Sequence, residues 1–490
     1  MPQESLDPDD WSGLRALAHR MVDDAIDYTA RVRDRPVWQP MPDAARAAFA
    51  GGLPQQGRGI GAVYDDLTTH MMPYPMGNIH PRFWAWYMGS SNLTGALGDF
   101  LAAVLGSNLG GGNHAATLID AQVVDWCKEM TGFPASSSGT LVSGGSVANL
   151  ICLTVARNVM SGIDLRQDGL AALDRPMRFY GSDQIHSCHQ KAVETLGLGN
   201  RALRRIPSNP DCTMDVAALR RAIDQDRADG WHPACVIATA GTVNTGAIDD
   251  LTALAALCRE QGLWLHVDGC IGALIALAPR NGALVRGIGL ADSLALDPHK
   301  LLHAPFEVGC ALVRDRKAHF RTFTLTPEYL AHTVRGVAAG DWLFDYGLQT
   351  SRGFRALKVW MAVQEQGAAK FGRLIDQTID LAAHLAAAID ANPVLERTAP
   401  VTLNIVCFRF DPGGQPPDGL ERLNIEIMLR LQEQGIAVIS DTRVKGQHCL
   451  RVAIANHRTQ TRDLDLLLAQ VQRIGREVMA ETGGLLEQPA

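Results

Sequence analysis

Lysine is scarce in this chain, with seven among 490 residues against thirty-eight arginines. Where a positive charge alone is needed the chain uses arginine, so a lysine kept beside apolar residues points to a need for an amine. Cysteine pairing is missing too. The ten cysteines stand singly in apolar segments, as at Cys152, Cys235, Cys258 and Cys407, with no Cys-x-x-Cys and no regular spacing, which implies buried thiols in a reduced, cytoplasmic protein. No apolar run is long enough to cross a bilayer, and the acidic start Met1-Pro-Gln-Glu-Ser-Leu-Asp-Pro-Asp-Asp10 is neither a signal peptide nor a transit peptide. The net charge is −7, without the basic excess that nucleic acid or an anionic membrane would favour, so small molecules are the expected partners.

What is present is an ordinary globular composition, 47% hydrophobic and 20% charged, over a length that suits two or three domains. Residues 1–85 read as a helical arm, in which Leu14, Leu17, Met21, Ala25 and Ile26 recur at helical spacing until Pro36, Pro40 and Pro42 interrupt them. The arm has too little apolar surface to fold alone and is expected to pack on another part of the chain or on a partner subunit. Through residues 86–356 helical patterns alternate with short apolar runs at 177–180, 234–239, 264–267, 293–296 and 309–313. This alternation predicts an α/β domain with a largely parallel, buried sheet, whose ligands gather at the carboxyl ends of the strands. Residues 357–490 begin with a long helical stretch, then show strands at 403–410, 436–439 and 450–454 and a closing helix near 464–479, which together read as a small α/β domain.

Lys300 ends the apolar run Ala291-Asp-Ser-Leu-Ala-Leu-Asp-Pro-His-Lys300 and is the only lysine between Lys191 and Lys317. Upstream, Leu263-Trp-Leu-His-Val-Asp268 reads as a buried strand that delivers a carboxylate at its C-terminal end. An amine that can lose its proton and a carboxylate that stays charged are the pair a pyridoxal phosphate (PLP) enzyme requires, one for the Schiff base and one for the pyridinium nitrogen. A buried structural ion pair would look the same at this level. Ser143-Gly-Gly-Ser146, ahead of an apolar helical run, offers backbone N–H groups and a helix dipole to a cofactor phosphate, although the same residues also serve as plain helix caps. His186 follows the 177–180 strand at the same sheet edge. Its imidazole could stack on a cofactor ring, cap the next helix, or join His189 as an H-x-x-H metal pair; without a further ligand at suitable spacing, no metal is expected. Thr239-Ala-Gly-Thr242 adds a tight, hydroxyl-bearing loop, and His299 is expected to support Lys300 from the opposite face of an extended segment.

In order along the chain, Ser143-Gly-Gly-Ser-Val-Ala-Asn-Leu150, Ser182-Asp-Gln-Ile-His186-Ser, Ala238-Thr-Ala-Gly-Thr242, His266-Val-Asp268 and Asp297-Pro-His-Lys300 resemble the group II PLP-dependent amino acid decarboxylases, which include the aromatic-L-amino-acid and glutamate decarboxylases. The likeness runs from His80-Pro-Arg-Phe83 through Ser351-Arg-Gly-Phe-Arg-Ala-Leu-Lys358 to Asn456-His-Arg-Thr459. It implies the PLP-dependent transferase fold type I, with a mostly parallel, mixed seven-stranded sheet in the large domain. It also implies a homodimer with active sites at the subunit interface and the N-terminal helices wrapped around the partner. By the same resemblance Lys300 carries the cofactor, Asp268 faces its ring nitrogen, His186 stacks on it and guides the substrate carboxylate, and Cys270 packs on the other ring face. Tyr329, within Thr326-Pro-Glu-Tyr329, would protonate the substrate carbon. Gly145, Ser146, Thr242, Asp297, His299 and Ser351 complete the implied cofactor site, and Phe83, Trp86 and Tyr87 the implied pocket for an aromatic side chain.

The implied reaction is loss of CO2 from an L-amino acid, an aromatic one, to give the amine. Aldehyde formation by oxidative deamination, decarboxylation of a sulfinate or acidic amino acid, and a non-catalytic dimeric binding protein are the alternatives; the presence of both Tyr329 and His186 favours the amine. The chain departs from the family pattern at Val243, where a second threonine is common, at Asp297, where the aromatic enzymes carry asparagine, and at Leu118-Ile-Asp120, where a glutamate-containing turn is usual. These departures leave the chemistry intact and bear on the substrate.

Overall fold

The computed structural model describes residues 4–325 and 334–481. Its central sheet has seven strands: β1 (Ser138–Val142), β2 (Met177–Ser182), β3 (Leu203–Ile206), β4 (His232–Thr239), β5 (Trp264–Asp268), β6 (Ser293–Leu296) and β7 (Gly309–Val313). They lie in the order β1-β7-β6-β5-β4-β2-β3. Only β7 runs antiparallel to its neighbours; the pairs from β6 out to β3 are parallel. Such a sheet is buried on both faces, so its strands read as continuous apolar runs. In β4, Val236 and Ala238 face one core while Cys235 and Ile237 face the other. The Gly145–Met160 helix covers the second face with Ala148, Ile151, Cys152 and Val155.

Two strands of this sheet were not legible in the sequence. β1 is five residues long with Gly139 inside it, and β3 is an edge strand whose centre is Arg204-Arg205, so neither shows an apolar run. The shared direction of β1, β2, β4, β5 and β6 brings the residues that follow them to one edge. β7 enters at that edge, where Gly309 pairs with Val142.

The smaller sheet contains β8 (Leu395–Arg397), β9 (Ile405–Phe410), β10 (Ser440–Val444) and β11 (Gln447–Ala453), all antiparallel, in the order β10-β11-β9-β8. The Pro417–Glu433 and Thr461–Glu481 helices pack on it through Leu423, Ile427, Leu467 and Val471. The strand expected at 436–439 is instead a single parallel bridge from Val438 to Phe83, because the chain at 82–85 docks there. Trp84 donates its N–H to Val438 O (2.7 Å) and accepts from Ala453 N (3.0 Å).

The two cores meet inside the Ala368–Asp390 helix, where Phe371 and Ile375 belong to the large one and Leu381, Leu385 and Ile389 to the small one. The Ala356–Gln366 helix packs on the Leu93–Leu105 and Ala115–Thr131 helices of the large domain. The Trp11–Ala30 helix of the arm has no buried residue, and Arg33 ties its end to Asp463 at 2.6 Å.

Trp84 is fully buried in the small core and donates its indole N–H to Thr459 Oγ1 at 3.1 Å. Trp84→Ala is expected to cost about 3–5 kcal/mol of stability, measured by denaturant unfolding, and Trp84→Phe distinctly less because most of the buried ring area is kept.

Candidate active site

At the carboxyl edge of the sheet, between it and the small domain, lies a cavity of about 560 Å³. Asp268, the last residue of β5, lines it with its carboxylate almost wholly buried. Oδ2 accepts a hydrogen bond from His189 Nε2 at 2.8 Å and Oδ1 one from the Cys270 backbone N–H at 3.2 Å. Burial pushes this carboxyl up, but the hydrogen bond from His189, the contact with Cys270 and the field of Lys300 outweigh it, so Asp268 is held well below the usual carboxylate range.

Lys300 sits on the short Pro298–Leu301 helix, its Nζ 3.0 Å from Asp297 Oδ2 and 6.0 Å from the Tyr87 ring centroid. Burial disfavours the ammonium, yet Asp297 foremost, with Asp268, more than offsets that and holds the amine above the ordinary lysine value. His299 donates from Nδ1 to Val308 O at 2.7 Å and packs on Phe306 with ring centroids 4.7 Å apart. It was expected on the face opposite Lys300, yet both line the cavity, because residues 298–301 form a helical turn and not an extended strand. Gly89 backs this turn so closely that a Cβ there would lie 1.6 Å from His299 O.

The Gly145–Met160 helix begins at the cavity wall, with Ser143, Gly145 and Ser146 among the lining residues; the leading N–H groups of a helix have no acceptor within it. A Cβ at Gly145 would come within 2.4 Å of Cys270 Sγ and 2.8 Å of Asp297 Oδ2, so only glycine permits the approach. His186 is exposed to the cavity, its Nδ1 accepting from Cys188 N at 3.1 Å, and burial of the ring holds it below the usual histidine value. Two lining residues present buried oxygens without a partner, Asp297 Oδ1 and Thr239 Oγ1. An open helix start, orphaned acceptors and a lysine facing two carboxylates fit a small phosphorylated aldehyde with a polar ring.

Several expected residues lie elsewhere. The Thr242 hydroxyl is 3.0 Å from Thr245 Oγ1 and accepts from Ala247 N at 3.0 Å, so it closes its own loop and does not line the cavity, where Thr239 stands instead. Phe83 packs with Val37, Ala85 and Val438 in a separate cluster, because docking of the 82–85 segment turns it away. Ser351 is exposed and outside the cavity of its own chain. Tyr329 falls outside the described residues. Trp86, Tyr87 and Cys270 do line the cavity. Cys188, His189 and Asp268 bring possible ligand atoms within 4.8 Å of one another, but the 2.8 Å contact inside this group is a hydrogen bond.

Sequence reasoning missed a buried relay beneath the site. Trp264 Nε1 donates to Ser293 Oγ (2.8 Å), Ser293 meets His266 Nδ1 (2.9 Å), His266 Nε2 meets Asn149 Oδ1 (2.7 Å), and Asn149 Nδ2 points to Cys188 Sγ (3.5 Å) and Cys270 Sγ (3.9 Å). His266 stands two residues before Asp268 on one face of β5, and Asn149 one turn after Gly145, so the period of each element carried the signal. Arg451 of β11 was missed as well. It is buried at the cavity and donates to Asn244 O (3.1 Å), Ser440 Oγ (3.4 Å) and the carbonyls of Trp86 and Val243.

The sheet order, the strand-end aspartate and lysine and the open helix start define a fold type I PLP enzyme. A family model for the pyridoxal-dependent decarboxylase conserved domain matches residues 42–411. An aromatic-L-amino-acid decarboxylase of Bacillus atrophaeus is 34% identical over 474 residues, which cover 95% of this chain and 96% of that protein. The crystal structure of Oryza sativa TDC with PLP and tryptamine superposes with a TM-score of 0.89 at 25% identity, over 97% of this chain and all of that one. Mouse CSAD gives 0.88 at 25% identity over 95% and 99%. The chain belongs to the pyridoxal-dependent decarboxylase family and is a PLP-dependent carboxy-lyase.

Borohydride treatment of the PLP-loaded protein is expected to add the cofactor's mass to the peptide containing Lys300 and to leave Lys300→Ala unlabelled; label on another lysine refutes the assignment. A second expectation concerns acid. Burial lowers His266 to about 3, while the unfolded chain returns it to about 6.5. Its contribution to stability is therefore complete above about pH 6.5 and is lost as pH falls toward 3, by up to about 1.4 kcal/mol per pH unit. Unfolding free energies measured from pH 7 to 4 should fall less steeply for His266→Gln than for the parent.

Proposed function

We propose that this enzyme decarboxylates an aromatic L-amino acid, releasing CO2 and the amine. The observation that carries the reading is the wall that Trp86, Tyr87, Met88 and Phe306 add beside Lys300. Trp86 is half-exposed at a left-handed backbone angle (φ +55°) that bulky residues rarely adopt. It is held there by its N–H on Ser440 Oγ at 3.3 Å and its carbonyl on Arg451, so an indole face is kept available. Asp441 also lines the cavity and opposes an acidic side chain by like charge. The Bacillus relative's name and the tryptamine in the Oryza structure point the same way.

Bound PLP supplies an aldehyde that condenses with amines and a ring that draws electrons from the α-carbon of the substrate. Asp268 keeps a negative charge toward the ring nitrogen. Lys300, its amine beside Asp297, would hold the cofactor. His186, on the cavity wall, would orient the substrate carboxylate so that CO2 is the group lost. Tyr329 delivers the proton that replaces CO2 on the α-carbon.

The same reading makes the enzyme a homodimer. Along the Leu93–Leu105 helix, Leu97, Phe100, Leu101, Val104 and Leu105 are all exposed, Val104 by 69%, and no residue of the arm helix is fully buried against its own chain. Faces of this kind are stable when a second copy covers them, and the cofactor role implied for Ser351 would require such an interface. A cytoplasmic setting fits ten buried thiols with no disulfide. Among the described residues no helix is long and apolar enough to cross a membrane.

CO2 release measured across the twenty amino acids and DOPA should give the highest kcat/KM with tryptophan, tyrosine, phenylalanine or DOPA; faster turnover of glutamate or cysteine sulfinate overturns the substrate class. Tyr329→Phe should slow amine formation by roughly a hundredfold or more, and oxygen uptake with peroxide release by the parent would favour the aldehyde reaction instead. Sedimentation should show a dimer that Phe100→Glu combined with Val104→Glu converts to monomer.

A further inference from the structure

His189 is fully buried on the Cys188–Thr195 helix, against the sheet. An apolar side chain would fill such a place at no polar cost, whereas an imidazole must find partners. This ring has one. Nε2 lies 2.8 Å from Asp268 Oδ2, and Nδ1 is buried without a partner. A ring that served as scaffold would bridge two groups, as His266 does between Ser293 and Asn149. His189 instead addresses one oxygen of one carboxylate.

We propose that His189 is a positioning residue of the reaction, fixing the orientation and the ionised state of the Asp268 carboxylate that faces the cofactor's ring nitrogen. The inference rests on the reading of Asp268 as the partner of that nitrogen. The groups around the pair cannot replace His189. Cys270 bonds Oδ1, His266 meets the His189 ring edge-on at 6.2 Å, and Lys300 is paired with Asp297. His186 and Cys188 stand nearby, His186 bonding the Cys188 N–H and Cys188 receiving Asn149. Without His189, Oδ2 loses its donor, and the carboxylate is free to rotate away from the ring nitrogen. The ring nitrogen then loses its proton more easily and the cofactor is held less firmly. This follows the general pattern in which a hydrogen bond behind a ligating group sets both its direction and its basicity.

The test uses PLP labelled with nitrogen-15 in the ring, bound to the full-length enzyme, whose nitrogen chemical shift reports protonation directly. In the parent, the nitrogen should stay protonated through neutral pH. His189→Leu should move its deprotonation down by on the order of one pH unit and weaken PLP binding, titrated by fluorescence, by on the order of tenfold. His189→Gln, which can present an N–H at the same place, should restore both. Substrate kcat should fall in the leucine variant with KM little changed. An unchanged nitrogen titration and PLP affinity in His189→Leu overturns the proposal. If leucine lowers the melting temperature of the cofactor-free protein, His189→Met, unbranched and adaptable, repeats the comparison under the same criteria. A parent whose nitrogen titrates at neutral pH like Asp268→Asn would instead refute the reading of Asp268 on which the inference stands.

Discussion

The structure depends on keeping two carboxylates and one amine charged at the edge of an apolar sheet. An isolated buried charge is costly enough that it normally neutralises, so each charge here needs its own donors or counter-charge. Asp268 has His189 and Cys270, and Lys300 has Asp297. These partners come from the ends of different strands and from helices laid across them. The parallel sheet is therefore a device for bringing separate stretches of chain to one line, and glycines at 145 and 89 let backbone approach where a methyl group would collide. Asp297 shows how local the arrangement is. One of its oxygens takes Lys300 and the other is buried without a partner, so the pairing is less complete than in a finished ion pair.

The sequence revealed what lies at strand ends and little of what reaches the site from the side. Lys300, Asp268 and His186 each terminate or follow an apolar run, and a run's end is visible in one dimension. Thr239 and Thr242 could not be separated that way, since both belong to one loop and only the fold shows that Thr242 spends its hydroxyl on Thr245 and Ala247. In the 83–88 segment a single pattern of aromatics divides three ways: Phe83 enters a small cluster with Val37, Trp84 the small core, and Tyr87 the large core and cavity wall. Which side chain faces which body depends on the docking of that segment beside β11, and no local periodicity encodes it. His189 was noticed as half of a metal pair; its true neighbour, Asp268, lies at the end of β5, far away in sequence.

The small domain contributes more than a lid. Arg451 grips carbonyls from two stretches, Trp86 next to the arm and Val243 with Asn244 in the large-domain loop, and the hydroxyl of Ser440 from its own sheet. Asn244 is further held by Thr442 at 2.9 Å and by Cys407 at 3.3 Å. Because Arg451 reads the carbonyl at position 243, the side chain there can be valine without loss of the contact. Asp120, another departure from the family pattern, is accommodated inside by Arg352, 3.5 Å away, which also bonds the carbonyls of Leu109 and Leu141. Both departures are thus absorbed by arginine clamps on backbone, away from the reacting atoms.

Scarcity of lysine does not by itself mark a chemical amine. Lys128 and Lys358 are also buried, but each spends its charge on a finished contact. Lys128 takes Asp125 at 2.8 Å, while Lys358 takes Asp99 at 2.9 Å and Pro305 O at 3.2 Å. They line none of the cavity in which Lys300 stands. What separates Lys300 is the space beside it, together with acceptors nearby that nothing in the chain satisfies. Arginine can supply charge and clamp carbonyls, as Arg451 and Arg352 do, but its guanidinium does not lose its proton in a protein and cannot serve as the amine. The chain therefore keeps a lysine where a bond has to be made, and the unsatisfied oxygens around that lysine distinguish it from the buried lysines that only hold the fold together.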